Sequence, residues 1–220
     1  MEGGLLGGVG HCIALNRYYH PVYQQHCMNA QAAAIHPALP PGFSDHPSPA
    51  PMAAAMAHAH DDADPGMLFW SGADGRCRAA VLLAPDRAIA PETLRHLGLV
   101  ALHDALATLA PPQVPIRIVP PGAIFVDGAS AAGVATQQAD GQPPAWAIIG
   151  IDVAVAPRGG DPGHRPDETS LQDEGFGDTA APDVLAQFCR HLLVWIDAWQ
   201  ESGAELLGRS VAAYSHAARV

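Results

Sequence analysis

Proline and glycine interrupt this chain so often that only a few windows can form helices. The 220 residues include 22 glycines and 21 prolines, and proline both fixes the backbone and lacks the amide donor that a helix uses. Helical spacing of apolar residues, or a composition of strong helix formers, persists in four windows. These windows are 51–63, 91–109, 182–203 and 204–216. In the third, Trp195 and Trp199 lie one turn apart, so we expect them to share a buried face.

Short apolar segments between these windows predict strands. The clearest runs from Trp146 to Val155, where Ile149, Ile151 and Val153 occupy alternate positions and would share one face. Further strands are predicted at 67–70, 77–83, 116–119, 123–126 and 133–136, and a surface loop is predicted at 157–177. Helices and strands in this order indicate an α+β domain with a helical C-terminus.

The N-terminal part of the chain shows neither strand nor helix periodicity. We therefore expect residues 1–38 to be an irregular or disordered leader and residues 39–220 to form a single domain. The leader holds five residues of types that ligate zinc: His11, Cys12, His20, His26 and Cys27. Their spacing matches no common zinc motif, and Met28 offers an alternative start, so we predict no metal site.

The charge of the chain excludes several classes of partner. There are 11 basic residues, all of them arginine, against 22 acidic residues, which gives a net charge of −11. Nucleic acid is an unfavourable partner because phosphate binding needs a basic surface. No apolar run approaches the roughly 20 residues of a membrane-spanning helix. The absence of lysine removes every mechanism that needs an ε-amine from this chain.

The four cysteines, Cys12, Cys27, Cys77 and Cys189, are widely spaced and contain no Cys-x-x-Cys pair. No basic segment followed by an apolar one begins the chain, so nothing here is typical of a secretion signal. We expect free thiols in a cytoplasmic protein. Cys77 and Cys189 are weak candidates for a thioester-forming nucleophile.

Three segments carry a resemblance. The first is Pro120-Pro121-Gly122-Ala123-Ile124, followed by Asp127-Gly128 and then by Ser130-Ala131-Ala132-Gly133-Val134. It is similar to a Trp-Pro-Asn-Asp-Ile strand, a turn and a Lys-x-Ala-Gly-Ile strand. The second, Ile149-Gly150-Ile151-Asp152-Val153, is similar to a Gly-Ile-Asn-Val strand. The third, Glu168-Thr169-Ser170-Leu171, is similar to Ala-Thr-Ser-Leu before a helix that ends in an aromatic pair.

These motifs, in this order, resemble the biotin/lipoate A/B protein ligase family, and in particular a divergent bacterial branch of it. The resemblance implies a mixed, largely antiparallel sheet covered by helices. It also implies transfer of a biotinyl, lipoyl or octanoyl group to a lysine of a carrier domain. ATP and Mg²⁺ would be needed only if the adenylation step is retained. The ligand-binding candidates that follow from the resemblance are Trp70, Arg76, Arg78, Ser130, Ala132, Gly133, Val134, Gly150 and Asp152.

The chain departs from the family pattern at the residues closest to the expected chemistry. Ser130 stands where the family has lysine, on what we expect to be a turn, and a serine cannot stabilise a developing phosphate anion by charge. The Asn-Asp pair of the family falls on Gly122 and Ala123. We expect Arg76 and Arg78 to point to opposite faces of their strand, so that at most one reaches a pocket.

Other roles remain open for several of these residues. Ser130 could be a nucleophile, although it lies in no Gly-x-Ser-x-Gly elbow. Asp152 interrupts an apolar strand, where an ionised carboxylate must be paired or solvated. Three hypotheses for the whole protein follow: an active acyl ligase, a degenerate member that binds an acyl ligand or carrier protein without adenylation, and a structural protein with no small ligand. No catalytic residue is assigned.

Overall fold

A mixed sheet of seven strands forms the centre of the part of the chain that the structure describes. The structure is a computed structural model, and it describes residues 36–61, 64–157 and 167–216. One compact unit, Pro37–Val220, contains all the described residues except His36, which belongs to a separate unit, Met1–His36. The expected leader with its histidines and cysteines lies outside the described residues. So do residues 158–166 of the expected surface loop.

The sheet is antiparallel except at one edge. Its strands are β1 Ser44–Pro47, β2 Met67–Ser71, β3 Arg76–Leu83, β4 Ile116–Val119, β5 Ala123–Val126, β6 Ala129–Gln138 and β7 Ala147–Ala154. Their order across the sheet is β1-β2-β3-β7-β6-β5-β4. Among the described strands, β1 pairs with β2 in parallel and every other neighbouring pair is antiparallel. The prediction of an α+β fold with a mixed, largely antiparallel sheet is confirmed.

Three of the described helices cover one face of the sheet. They are α2 Pro91–Leu109, α3 Ala181–Ser202 and α4 Ala204–His216; the helix that precedes them in the chain is α1 Pro51–Asp61. Helix α2 packs on β4, β6 and β7, α3 packs on β3 and on α2, and α4 packs on β4 and on α2. Alternate residues of β7, namely Ile149, Ile151 and Val153, are buried beneath these helices. We call this side of the sheet the covered face.

Helix α1 packs on the opposite side of the sheet, against β2, β3 and β7. Its buried residues Ala55 and Ala59 contact a small apolar cluster that includes Phe69, Leu82 and Ile148. The side chains of β6 on this side, Ala135 and Gln137, are exposed. We call this side the open face, because part of it is accessible to a ligand.

Two elements differ from the sequence-based expectation. Strand β1 lies in a segment for which we predicted no strand; it is a four-residue edge strand that contains a proline and lacks apolar alternation. Strand β6 begins at Ala129 rather than near Gly133. Asp127 and Gly128 both have positive φ values, 46° and 91°, which is the geometry of a tight hairpin turn and lets β6 begin directly after it.

The C-terminal helices follow the predicted pattern. Helix α3 ends before Gly203, whose φ of 78° is readily adopted only by glycine. Trp199 is buried in the main core, whereas Trp195 is half-buried and packs against the edge of that core. The indole N–H of Trp195 donates a hydrogen bond to Oδ2 of Asp104 in α2, at 2.8 Å. Among the described residues, no helix is both long and apolar enough to cross a membrane.

Candidate functional site

The open face brings together six of the nine residues that the sequence suggested as ligand-binding candidates. Strand register places Arg78 opposite Asp152, Asp152 opposite Gly133, and Gly133 opposite Ala123. Residues that are directly opposite on neighbouring strands share a face. The candidates on this face are Arg76, Arg78, Ser130, Gly133, Gly150 and Asp152.

Two arginines of β3 converge on one carboxylate of β7. Nε of Arg76 donates a hydrogen bond to Oδ1 of Asp152 at 2.7 Å, and Nε of Arg78 lies 3.8 Å from the same oxygen. The expectation that the two arginines point to opposite faces is wrong, because side chains alternate along a strand and residues two apart share a face. Arg78 is too far from Asp152 for a hydrogen bond, so its guanidinium keeps donors for a ligand.

Asp152 is both paired and solvated. Its side chain is 47% exposed, whereas that of Arg76 is only 16% exposed. The ion pair therefore adds little to stability, about 1 kcal/mol or less, because water competes for the carboxylate. The main effect of the hydrogen bond is geometric, since it fixes the Arg76 side chain to Asp152, the residue directly opposite Gly133.

Gly133 lies opposite Asp152 and has no side chain, so the sheet surface beside this charged cluster is formed by backbone alone. We call this surface the Gly133 floor. A Cβ added at Gly133 would meet its nearest neighbour, the backbone oxygen of Gly122, at 3.5 Å, which is an ordinary contact. A Cβ at Gly122 would instead approach the backbone oxygen of Val134 to 2.9 Å. The glycine that replaces the family's asparagine at position 122 is therefore tightly packed, whereas Gly133 leaves open space above the sheet.

Ser130 lies inside β6 rather than on a turn. The backbone amide of Ser130 donates to the backbone oxygen of Asp167 at 2.8 Å, and the backbone oxygen of Ser130 accepts from the amide of Thr169 at 3.0 Å. These bonds form a parallel bridge that places Glu168 directly beside Ser130. The segment continues along the end of β7, where the amide of Leu171 donates to the oxygen of Ala154. A carboxylate thus stands next to the serine at the position where the family has lysine.

Three candidates lie on the covered face instead. Trp70 is buried in the main core, and its indole N–H donates to Asp45. Ala132 is buried in the same core, and Val134 packs against it. A fourth candidate, Gly150, is on the open face but lies beneath α1, since an added Cβ would come within 2.4 Å of the terminal methyl of Met52. These four residues shape the fold around the site.

Sequence reasoning missed two charged residues of the open face. Arg117 lies on β4 opposite Phe125, which lies opposite Ser130 on β6. The alternation of buried and half-buried residues in β4 carries this signal, since Ile116 and Ile118 face the core and leave Arg117 on the other side. Glu168 could not be found in this way, because its place depends on a bridge between distant segments.

The two cysteines in the described part of the chain, Cys77 and Cys189, do not provide a nucleophile. Burial raises the pKa of the Cys77 thiol far above its usual value, with the negative charge of Asp152 adding to the effect. Burial alone raises the pKa of Cys189 to about 12. A thiolate at either position is negligible at neutral pH. Among the described residues, no group of three histidine, cysteine or acidic side chains could hold a metal ion.

A separate cavity of about 370 Å³ lies at the far end of β6, lined by Pro91 and residues 136–142. Three hydrogen bonds join the backbone of Ile89 to this region. The Ile89 amide donates to Oε1 of Gln142, and the Ile89 oxygen accepts from Nε2 of Gln138 and of Gln142. Oε1 of Gln138 is buried without a partner in the described part of the chain. The residues that line this cavity include neither Arg76 nor Arg78 nor Gly133. We therefore place the candidate site on the open face.

The fold matches that of solved biotin protein ligases. The enzyme from Aquifex aeolicus is 15% identical with a TM-score of 0.62, and the match covers 78% of this chain and 74% of that one. The enzyme from Leishmania major, solved with biotinyl-5-AMP, is 16% identical with a TM-score of 0.58 and coverage of 80% and 82%. At these identities the likeness concerns the fold alone: the described domain has the architecture of a biotin ligase catalytic domain.

The chain belongs to the biotin/lipoate A/B protein ligase family, whose model matches residues 39–212. A structure from a Silicibacter species, described as a biotin protein ligase-like protein of unknown function, is 32% identical with a TM-score of 0.71. That match covers 82% of this chain and 81% of the other. Among curated proteins, none matches the chain.

Proposed function

We propose that this protein binds a carboxylate ligand of the biotin, lipoate or octanoate type on the open face and transfers its acyl group to a lysine of a carrier domain. The observation that carries the proposal is the convergence of Arg76 and Arg78 on Asp152 beside the open floor at Gly133. Arginine is suited to planar, two-point recognition of carboxylate and phosphate groups. Glycine allows a ligand to approach the backbone closely.

The chemistry would proceed in two steps. A carboxylate oxygen of the ligand attacks the α-phosphorus of ATP, and pyrophosphate leaves with the bond between the α- and β-phosphates broken. The carrier lysine then attacks the acyl carbon of the mixed anhydride, AMP leaves, and the amine loses a proton as the amide forms. Arg78 has donors to spare for the negative charge that develops in the first step, since it makes no hydrogen bond to Asp152.

Relatives of the same fold support this ligand class. One structure of the Aquifex aeolicus ligase is described as a complex with biotin and ATP, and the Leishmania major ligase as a complex with biotinyl-5-AMP. We extend that chemistry to this chain as a proposal. The proposal includes a single ligase-like domain at residues 39–220 and a bacterial, cytoplasmic setting.

A second function is favoured by one observation, the pairing of Ser130 with Glu168. Where the family motifs have a lysine and an alanine, this chain has Ser130 and Glu168, so one positive charge is missing and one acidic residue is added. A phosphate anion is disfavoured there. In this second candidate function, the protein binds an acyl ligand or a carrier domain without activating it.

Pyrophosphate exchange distinguishes the two functions. The purified protein is incubated with ATP, Mg²⁺, labelled pyrophosphate and, in turn, biotin, lipoate or octanoate. Ligand-dependent exchange supports the ligase. Thermal stabilisation by one of these ligands without exchange supports the binding function, since a ligand of the native state raises apparent stability. Neither exchange nor stabilisation with any of the three would contradict both and leave a structural role.

A further inference from the structure

The arginines of the open face differ in whether an acidic residue of the described chain neutralises their charge. Arg76 and Arg78 share Asp152, so these three residues together carry one net positive charge. Arg117 also lies on this face and is half-buried. Within the described ranges 36–61, 64–157 and 167–216, Arg117 makes neither an ion pair nor a side-chain hydrogen bond. None of its nitrogens is among the buried atoms that lack a hydrogen-bond partner, so the guanidinium reaches solvent and its donors are available to a ligand.

Strand register places Arg117 near the position where the family lysine is missing. Arg117 is opposite Phe125, and Phe125 is opposite Ser130, so two strand spacings separate Arg117 from Ser130. At 4.7–4.9 Å per spacing, this is about 10 Å between backbones. The ring of Phe125 lies between them on the same face, so the Arg117 side chain can approach Ser130 only past that ring, beside the small residue Ala123 in the neighbouring row.

The two ends of the open face therefore differ in kind. On the β3 side, Asp152 offsets one of the two charges of Arg76 and Arg78, and the remaining single positive charge suits a ligand carboxylate, which carries one negative charge. On the β4 side, Arg117, Phe125, Ser130 and Glu168 lie opposite one another on successive neighbouring segments. Among the described residues in this series, the first carboxylate is therefore that of Glu168, three strand spacings from Arg117. A nucleotide phosphate chain carries more negative charge than a carboxylate, and it is better placed beside Arg117 than beside Asp152.

We propose that Arg117 binds a phosphate group of the nucleotide and supplies the positive charge that Ser130 does not. This inference rests on the proposed function, because it assumes that ATP binds to the open face. Guanidinium groups form forked, charge-assisted hydrogen bonds to phosphate oxygens, and these are stronger than neutral ones. Arg117 is then a phosphate-binding residue on the opposite side of the Gly133 floor from Arg78.

The test compares binding of two ligands by four forms of the full chain. Mg²⁺–ATP, and separately whichever of biotin, lipoate or octanoate stabilises the wild type, are titrated calorimetrically into wild type, Arg117→Gln, Arg117→Lys and Arg209→Gln. Arg209 is the matched control, because it is an exposed arginine on α4 that pairs only with Glu205 among the described residues. Circular dichroism and thermal melts check that each variant is folded.

We expect Arg117→Gln to weaken ATP affinity about 10- to 100-fold, the effect of losing a hydrogen bond to a charged group. Affinity for the acyl ligand should stay within about twofold, and Arg209→Gln should match the wild type for both ligands. Arg117→Lys keeps the positive charge but cannot form two parallel hydrogen bonds to a phosphate. We therefore expect a smaller loss of affinity, about threefold or more, for ATP alone. If the glutamine variant does not fold, this lysine variant decides.

Three results would overturn the inference. Equal ATP affinity in wild type and both Arg117 variants would remove Arg117 from the site while leaving the proposed ligase function intact. Equal losses for ATP and for the acyl ligand would assign Arg117 a structural role. No ATP binding by the wild type, together with stabilisation by an acyl ligand, would overturn the inference and favour the non-adenylating function.

Discussion

The two faces of the sheet are built from the same strands and differ in almost every physical respect. On the covered face, β7 presents Ile149, Ile151 and Val153, all buried in the core beneath the helix layer. On the open face, the alternate residues of the same strand include Gly150 and the half-exposed Asp152. Since successive side chains of a strand point to opposite sides, one eight-residue segment serves both purposes.

This difference indicates where substitutions change stability and where they change function. Large apolar side chains on the covered face remove area from water, at roughly 25 cal/mol per Å². Small and charged residues on the open face contribute little to burial and leave space and donors for a ligand. The residues that depart from the family pattern, including Ser130 and Ala123, are on the open face, whereas the covered face keeps the apolar pattern of the fold.

The largest expected effect comes from the helix layer. Trp199 is buried in the main core and Arg87 lies 5.6 Å from the centre of its ring. Trp199→Ala should lower the free energy of unfolding by about 3–5 kcal/mol, which for a chain of this size is about 2–4 °C in Tm per kcal/mol. Chemical denaturation measures this. Val194→Ala on the same helix is the control, because Val194 is 61% exposed and should change stability by less than about 0.5 kcal/mol.

A comparable loss in both variants would mean that burial of the Trp199 side chain in the main core is not what sets the size of the effect. It would also indicate that the exposed side of α3 is held by a partner in solution. If Trp199→Ala weakened ligand binding without lowering stability, the assignment of stability to the covered face and of ligand binding to the open face would be wrong.

The second prediction concerns charge on the open face. Ser130→Lys should increase ligand-dependent pyrophosphate exchange, because a cation that contacts developing negative charge typically contributes about 10²–10³ in rate. The structure sharpens this expectation, since the new ammonium group would lie beside Glu168. Combining Ser130→Lys with Glu168→Ala should therefore give a larger increase in exchange rate than Ser130→Lys alone.

Glu168→Ala alone and Ser130→Gln are the controls, because neither adds a positive charge at the site. If all variants exchange pyrophosphate at the wild-type rate, and that rate is substantial, Ser130 does not limit the chemistry. The positive charge is then already supplied by arginine, and the binding-only function is excluded.

Sequence alone predicted the covered face far better than the open one. The bounds of α2, α4, β4 and β5 follow from local periodicity and from proline and glycine breaks, so they could be predicted closely. The placement of Gly150 under Met52 and of Glu168 beside Ser130 depends on contacts between distant segments. No local pattern encodes these contacts. The common face of Arg76 and Arg78, in contrast, follows from strand alternation and was within reach.

The third prediction compares the two glycines of the open face. Gly150→Val should lower the free energy of unfolding by about 1–3 kcal/mol, because the terminal methyl of Met52 must move away from any Cβ here and the two further methyls of valine overpack the contact between α1 and the sheet. Gly133→Ala is its counterpart, since its Cβ would make only an ordinary contact. It should leave stability nearly unchanged but weaken binding of the acyl ligand. Denaturation and ligand titration of both variants measure the contrast.

The opposite outcome, a destabilised Gly133→Ala with normal ligand affinity, would show that the space above Gly133 belongs to the packing of the fold. The candidate site would then have to lie elsewhere on the open face.

The smallest expected effect concerns a polar cluster within the helix layer. Asp104 accepts hydrogen bonds from the Trp195 indole at 2.8 Å and from His103 at 2.9 Å, and the His103 ring stacks on Tyr214 at 3.9 Å, which ties α2 to α3 and α4. Burial acts to raise the pKa of Asp104, but the hydrogen bonds from His103 and Trp195 outweigh it and lower the pKa below its usual value. The ionised form is therefore the one that the folded state stabilises.

Because the pKa of Asp104 is lower in the folded than in the unfolded state, its stabilisation is fully present above the unfolded value, near pH 4, and is lost as pH falls below it. Asp104→Asn should cost about 1 kcal/mol at pH 7, and the difference from wild type should shrink between pH 5 and pH 3. Urea denaturation at each pH measures this, and ligand affinity at pH 7 should be unchanged because the cluster belongs to the helix layer. A difference that stays constant with pH would show that the Asp104 carboxylate is not held in its ionised form. A loss of ligand affinity would instead show that the helix layer positions the open face, and the two sides of the sheet would then be coupled rather than independent.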